Sequence, residues 1–168
     1  MTTFSRCLLP AALLALAAST ASAQRPIELP PNAPADKPVS VNAKCLLDAM
    51  HQAIAPYVAQ ARASYPAARE RFRAGLPHGY TFFVTTRLHD AAGHEEQVFV
   101  VVDSITNGTI AGRIASQINS VRGFRYGQWY SFPEADLVDW MVSRPDGSEE
   151  GNVVGNFLDT YTPPRTCS

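Results

Sequence analysis

The stretch YTFFVTTRLHD, residues 80–90, decides the fold, because its apolar side chains follow an alternating pattern instead of a helical one. One face carries Tyr80, Phe82, Val84, Thr86 and Leu88, and the opposite face carries Thr81, Thr85, Arg87 and His89. Successive side chains of a β-strand point to opposite faces of the sheet. The pattern therefore predicts a strand with one buried and one solvated face.

Further strand-like segments, joined by short turns, come after this stretch. The turn DAAGH leads to a more completely buried strand, EEQVFVVVDS, and Asn107-Gly108 is a strong two-residue hairpin signal before TIAGRIA. The remaining segments are QWYSF (128–132), ADLVDWMVS (135–143) and, after the turn RPDG, NVVGNFL (152–158). Because parallel strands need long crossovers, these short connections predict five or six antiparallel strands in a meander.

The residues before the sheet have helical spacing. Asn42 is a suitable helix cap, and the apolar positions after it are Leu46, Met50, Ile54, Tyr57, Ala61 and Tyr65. We expect Pro56 to kink or split this helix, while Pro66 fits the first turn of a further helix, PAARERFRAGL. The predicted fold class is α+β, with N-terminal helices packed on a strongly bent antiparallel sheet of five or six strands.

The beginning of the chain, MTTFSRCLLPAALLALAASTASAQ, matches a secretory signal peptide over residues 1–23. Arg6 is the positive n-region, residues 7–18 are the apolar h-region, and Ala21-Ser22-Ala23 is the cleavage site. The apolar run is shorter than the roughly 20 residues of a membrane-spanning helix. We predict cleavage after Ala23 and a periplasmic or secreted protein without a membrane anchor; an uncut anchor is the alternative.

The mature chain divides into a Pro-rich tether, residues 24–41, and a single α+β domain, residues 42–168. The tether contains five prolines and almost no periodicity. Loss of Arg6 with the leader changes the formal charge from -1 to -2. A chain this close to neutrality has no basic field to attract nucleic acid, so we expect no nucleic-acid partner.

Two cysteines, Cys45 and Cys167, remain in the mature chain. In an oxidising compartment, two remaining cysteines most simply form a disulfide. Such a bond would close a loop of roughly 120 residues and stabilise the fold by about 4–5 kcal/mol in the chain-entropy model. A catalytic thiol is the weaker alternative, because neither cysteine lies in a C-x-x-C motif or beside a histidine.

Several motifs succeed one another in a fixed order between about Met50 and Leu158. They are Ala61-Arg62 in a helix that ends at Phe72 and Leu76, Glu96-Gln97-Val98-Phe99-Val100, Gly112, Gly127, Leu137-Val138-Asp139-Trp140, Gly151 and Gly155. Their order and spacing resemble the YegJ-like family of small bacterial domains of unknown function. Phe99 and Gln128 depart from the family's preference for tryptophan and an acid at those positions. The resemblance implies an α+β fold and no established reaction.

Asp139 is unusual because it lies among apolar residues. A buried carboxylate costs several kcal/mol unless it is hydrogen-bonded or paired. Its partner could be the backbone N–H groups of a neighbouring turn, an arginine such as Arg113 or Arg125, or the Trp140 indole. We interpret Asp139, with Glu96 and Trp140, as part of a structural signature; a catalytic acid that works with Glu96 is the alternative.

The first hairpin turn contains His89, Asp90, His94 and Glu95, whose side-chain types bind zinc or copper. The spacing of the two histidines matches no familiar zinc motif, so we interpret this segment as a solvated turn. We therefore expect no metal site and no cofactor. The sequence also has no Walker loop and no nucleophile-elbow motif.

An aromatic and arginine-rich segment offers the best candidate for binding. It holds Arg122, Phe124, Arg125, Tyr126, Trp129, Tyr130 and Phe132. Aromatic residues and arginine dominate the energetics of protein interfaces, although they are also ordinary core residues. We name Arg122, Arg125, Tyr126 and Trp129 as candidate binding residues, for an envelope protein or for the carboxylate of a cell-wall peptide.

These features favour a non-enzymatic protein- or peptide-binding or inhibitory module of the cell envelope. The alternative is a small metal-dependent or carboxylate-based hydrolase in the periplasm. Such an enzyme would use Glu96, Asp139 and the hairpin histidines, His89 and His94.

Overall fold

The computed structural model describes residues 31–33 and 44–164 of the 168-residue chain. The predicted signal peptide, most of the Pro-rich segment and Cys167 lie outside the described residues. The Cys45–Cys167 disulfide therefore stays a prediction. Within the described ranges, no helix is both long enough and apolar enough to cross a membrane.

The described chain forms one long helix, six strands and a short second helix. Their bounds are α1 Lys44–Ala74, β1 Thr81–His89, β2 Glu95–Thr106, β3 Thr109–Ile114, β4 Trp129–Pro133, β5 Asp139–Ser143, β6 Glu149–Gly151 and α2 Val153–Leu158. A single 3₁₀ turn, Glu134–Asp136, precedes β5. The predicted hairpin at Asn107-Gly108 joins β2 to β3, and both of its residues have positive φ, 50° and 74°.

The strands form one antiparallel sheet with the order β4-β3-β2-β1-β5-β6, and this sheet does not close into a barrel. The α+β fold class is confirmed. The prediction of a simple meander is right only for β1 to β4. After β4 the chain returns and β5 pairs with the free side of β1, where Val142 lies opposite Phe82. The segment between β4 and β5 is short, so the local sequence pattern cannot distinguish this return to β1 from another hairpin.

The prediction of two helices is wrong, because α1 is continuous from Lys44 to Ala74 and contains both Pro56 and Pro66. A proline removes one backbone hydrogen bond and crowds the preceding turn. Packing on the sheet compensates, since Ile54, Ala61 and Tyr65 are buried on either side of Pro56. Pro66 therefore does not begin a new helix.

The segment NVVGNFL is also different from the prediction, because it forms α2 instead of a strand. Asn152 begins this turn with φ 53°. The sixth strand is the short β6, which pairs with β5 on the edge of the sheet. Six residues cannot show helical periodicity clearly, so the apolar run Val153-Val154 is ambiguous in the sequence.

The main core lies between α1 and one face of the sheet, which we call the inner face. Its helix side chains include Ala61, Tyr65 and Ala68; its sheet side chains include Phe82, Val84, Leu88, Val98, Val100, Ile110, Ile114, Phe132, Trp140 and Val142. Trp140 joins the two layers through its indole Nε1, which donates to the Ala61 carbonyl at 3.1 Å and to Ser64 Oγ at 2.9 Å. The indole is therefore bonded to the helix and not to Asp139.

The opposite face of the sheet, the outer face, is more apolar than the sequence predicts. Phe83, Ala115 and Met141 are buried there, with Phe99 and Val101 partly buried beside them. Phe83 lies between Met141 on β5 and Val101 on β2. The prediction of a solvated second face is therefore wrong at Phe83, which breaks the polar alternation of β1.

Candidate functional site

A cleft of about 340 Å³ opens on the described part of the surface, between α1, the β3–β4 loop and the residues before β5. Its lining residues are Arg62, Thr86, Arg87, His89, Phe124, Tyr130 and Asp136. A volume of this size lies at the lower end of the range for small-ligand sites. The cleft therefore fits a small polar group or the end of a peptide.

Arg62 supplies a positive charge to the cleft, and Asp136 supplies a negative one. Its Nε donates to the carbonyl of Leu137 at 2.8 Å, which holds the side chain against the segment before β5. Among the described residues, no carboxylate lies in a salt bridge with Arg62. Its two terminal amino groups can therefore donate in parallel to an incoming carboxylate or phosphate, which is the geometry that arginine favours.

Aromatic rings form another wall of the cleft. Phe124 meets Tyr130 edge to face with ring centroids 5.9 Å apart, and Tyr130 stacks on Phe132 at 5.6 Å. Burial raises the pKa of Tyr130, and the charge of Asp136 raises it further. The phenol therefore stays protonated at neutral pH and can donate a hydrogen bond.

The floor of the cleft beside β1 adjoins a cluster of charged side chains around Glu95. His51 Nε2 on α1 lies 2.6 Å from Glu95 Oε1, and Arg87 Nε lies 3.4 Å from the same oxygen. His89 Nδ1 lies 3.9 Å from Glu95 Oε2. The Arg87 contact lacks hydrogen-bond geometry, and Arg87 Nε is buried without another partner in the described part of the chain. Glu95 therefore holds the end of β1 close to α1.

Glu96, the next residue, has a different task because its side chain anchors a loop. Its carboxylate accepts the backbone N–H groups of Asn119 at 2.9 Å, Ser120 at 2.8 Å and Val121 at 3.1 Å. Burial raises its pKa, but these backbone donors together outweigh burial and hold the pKa below its usual value. Glu96 is thus a structural anchor for the loop that precedes Phe124.

Asp90 fixes the other side of the same loop. Its carboxylate accepts the N–H groups of Ala92 and His94 within the hairpin turn, and that of Arg122 across the gap at 3.0 Å. The His94 ring, with Nδ1 at 2.9 Å, is the main cause of a lowered pKa at Asp90. His94 and His89 therefore face different carboxylates. No group of three or more metal-binding side chains occurs in residues 31–33 and 44–164.

Asp139 is buried, with 1% of its surface exposed, and it caps α2. Oδ2 accepts the N–H of Val154 at 2.7 Å, and Oδ1 accepts the N–H of Trp140 at 2.8 Å. Burial raises its pKa to about 6, against the opposing effect of these backbone donors. Its partners are thus the backbone groups of a neighbouring turn. Asp139 and Glu96 serve different elements, and neither lines the cleft.

The four candidate binding residues of the loop lie outside the cleft lining. Arg122 and Arg125 are exposed, and the N–H of Arg125 donates to the side chain of Gln128. Trp129 is 45% exposed, and the Arg113 guanidinium lies 5.4 Å from its ring centre. The neighbours of these residues, Phe124 and Tyr130, are the ones that reach the cleft.

The sequence does not identify the cleft, because its lining comes from four separated segments. Arg62 lies on a helix whose polar face carries other arginines, and Arg87 looks like an ordinary solvated strand residue. The cluster of aromatic residues around Phe124 and Tyr130 is the local signal that sequence reasoning could use. The meeting of Arg62 with that cluster depends on the return of the chain before β5.

No protein-family model, curated protein or solved structure matches this chain. The resemblance to the YegJ-like family therefore stays an expectation. Function is accordingly inferred from the residues of the cleft and from the leader sequence.

Proposed function

We propose that this protein is an exported, non-enzymatic binding module of the cell envelope. In this proposal the cleft receives a carboxylate-bearing end of a peptide or protein partner. The observation that carries the proposal is Arg62, which is held through Nε at 2.8 Å from the Leu137 carbonyl and forms no salt bridge with a carboxylate of the described residues. A bidentate pair with a carboxylate is among the strong charge-assisted hydrogen bonds.

The walls of the cleft support the same proposal. Phe124 and Tyr130 offer apolar surface to a side chain next to the carboxylate, and the Tyr130 hydroxyl offers a further donor. Asp136 repels a ligand carboxylate, so the pairing with Arg62 has to outweigh this repulsion. The other five lining side chains are polar or charged, so the cleft is suited to a ligand with a polar end and a small apolar side chain. The leader sequence is the basis for placing this activity outside the cytoplasm.

The alternative hydrolase has less support. Its two carboxylates, Glu96 and Asp139, each accept several backbone N–H groups, and general acid–base catalysis needs a group free to exchange a proton with substrate. The two histidines proposed with them face Glu95 and Asp90 separately. No observation on the described residues favours a reaction over binding.

The test is an NMR titration of the mature chain with acetyl-Ala-Ala, once with a free carboxyl terminus and once amidated. We expect amide shifts at Arg62, Phe124 and Tyr130 with the free acid only. Arg62→Ala should weaken binding at least tenfold, because one bidentate pair is lost. Arg125→Ala is the matched control, an exposed arginine outside the cleft. Equal binding of acid and amide, or loss of binding only in Arg125→Ala, would contradict the proposal.

A further inference from the structure

The outer face of the sheet carries an apolar cluster that α1 does not cover. Phe83 is 0% exposed and Met141 is 1% exposed, although both side chains alternate away from the helix. The partly buried Phe99 and Val101 extend this cluster over β2. A face of this kind, if uncovered, would be a site for association with other chains.

The described part of the Pro-rich segment lies on this face. The Ala33 side chain packs against the cluster of Phe83, Ala115 and Met141. Ser143 Oγ donates to the carbonyl of Asn32, and Asn32 Nδ2 donates to the Gly79 carbonyl at 3.3 Å. Asn32 therefore connects Ser143, at the end of β5, to Gly79, just before β1.

The contact with Asn32 satisfies a buried polar group of the sheet. Ser143 is 1% exposed, and its hydroxyl would be a buried donor without its bond to Asn32. An unsatisfied buried polar group destabilises the folded state. Prolines on both sides of Asn32 restrict the free chain, so docking loses less conformational entropy than it would for an ordinary linker.

The chain between Ala33 and Lys44 is also long enough to connect the outer face of the sheet to α1 on the inner face. Ala33 lies on the outer face and Lys44 begins the helix that covers the inner face. The intervening residues 34–43 can span roughly 35 Å when extended. Layers on opposite faces of a sheet each lie about 10 Å from it, so they are roughly 20 Å apart.

We propose that Pro31–Ala33 is a strap, an intramolecular occupant of the outer face, which ties this part of the Pro-rich segment to the folded domain. The strap shields Phe83 and Met141 and satisfies Ser143. This inference concerns the apolar cluster of the outer face and is independent of the proposed function.

Peroxide oxidation of the mature chain tests the strap, because Met50 and Met141 are the two methionines after the leader. Ala33→Asp places a charge against the apolar cluster, while Pro31→Asp places the same charge on the exposed side of the strap. We expect Met141 sulfoxide to form several-fold faster in Ala33→Asp, with Met50 unchanged. Pro31→Asp should behave like the natural chain. An unchanged Met141 rate in Ala33→Asp would overturn the strap.

A second measurement does not depend on the folding of a variant. In the natural mature chain, nuclear Overhauser contacts should join the Ala33 methyl group to Phe83 or Met141. Their presence supports the strap even if Ala33→Asp speeds the oxidation of both methionines by loosening the whole domain. Their absence in a fully assigned spectrum overturns it.

Discussion

The carboxylate of Asp139 and the backbone N–H of Val154 are joined by a hydrogen bond of 2.7 Å inside the protein, and this bond fixes α2 to the beginning of β5. The Trp140 N–H binds the other carboxylate oxygen. Together these bonds explain how a carboxylate can lie in an apolar segment. Burial still dominates its pKa, and this has a measurable consequence.

Asp139 should make stability depend on pH in an unusual direction. Its folded pKa of about 6 lies above the ordinary value of 3.8, so the folded state binds the extra proton between these values. Stability from this group is complete below about pH 4 and is lost as the pH rises through 6. Each pKa unit corresponds to about 1.4 kcal/mol, which gives a total of about 1–3 kcal/mol. Urea unfolding from pH 4 to 7 measures this effect. The free energy of unfolding of the natural chain should fall relative to that of Asp139→Asn as the pH rises.

The control for this experiment is Asp103→Asn, since Asp103 is exposed on β2. Its stability difference from the natural chain should stay constant over the same range. If the natural chain instead becomes more stable relative to Asp139→Asn toward pH 7, the hydrogen bonds outweigh burial.

Trp140→Phe should destabilise the protein by about 2–4 kcal/mol, because it removes the indole donor to Ala61 and Ser64 and leaves a cavity. Trp129→Phe is the matched change on the same sheet, where the side chain is 45% exposed. We expect the latter to cost at most about 0.5 kcal/mol. Denaturant midpoints of the two variants measure the comparison, and similar losses would be evidence against the bond between layers.

Glu96→Gln should loosen the loop before Phe124 with little change elsewhere. The neutral amide accepts fewer hydrogen bonds than the carboxylate, which binds the N–H groups of Asn119, Ser120 and Val121. We expect a stability loss of about 1–2 kcal/mol. Hydrogen exchange should accelerate at those three amides first. Glu70→Gln, which removes exposed ion pairs on α1, should leave the loop amides unchanged.

Gly151→Ala tests the close approach between Gly151 and the backbone of Trp140. Gly151 has φ 85°, and an added Cβ would lie 2.3 Å from the carbonyl oxygen of Trp140. Gly147 has a similar φ of 81° with open space around it, so Gly147→Ala measures backbone strain alone, about 1–2 kcal/mol. Gly151→Ala should cost clearly more in thermal unfolding. Equal costs would show that the contact with Trp140 relaxes freely.

Local signals predicted most of the sheet, and long-range packing decided the rest. The strand Thr81–His89 and the Asn107-Gly108 turn are set by neighbouring residues, and both form as predicted, although Phe83 is buried on the face predicted to be solvated. The continuity of α1 through Pro56 depends instead on burial along its length. The helical state of Val153–Leu158 depends on its cap, Asp139, which is distant in sequence.

The candidate site was less accessible to prediction than the fold. Asp139 could be recognised as an anchor because a carboxylate among apolar neighbours requires a hydrogen-bond partner. Arg62 and Arg87 have no such local requirement, since an arginine on a helix or strand surface is ordinary. Their position in one cleft with Tyr130 depends on the sheet order and on the packing of α1 against the sheet.

That sheet order also dictates when the domain can fold. β1 has its first partner, β2, close behind it, but its second partner, β5, comes about 60 residues later, a separation that slows folding. Until β5 pairs with β1, one edge of β1 has unpaired backbone N–H and C=O groups. Chains truncated before Ser143 should therefore keep this strand edge exposed and be prone to aggregation.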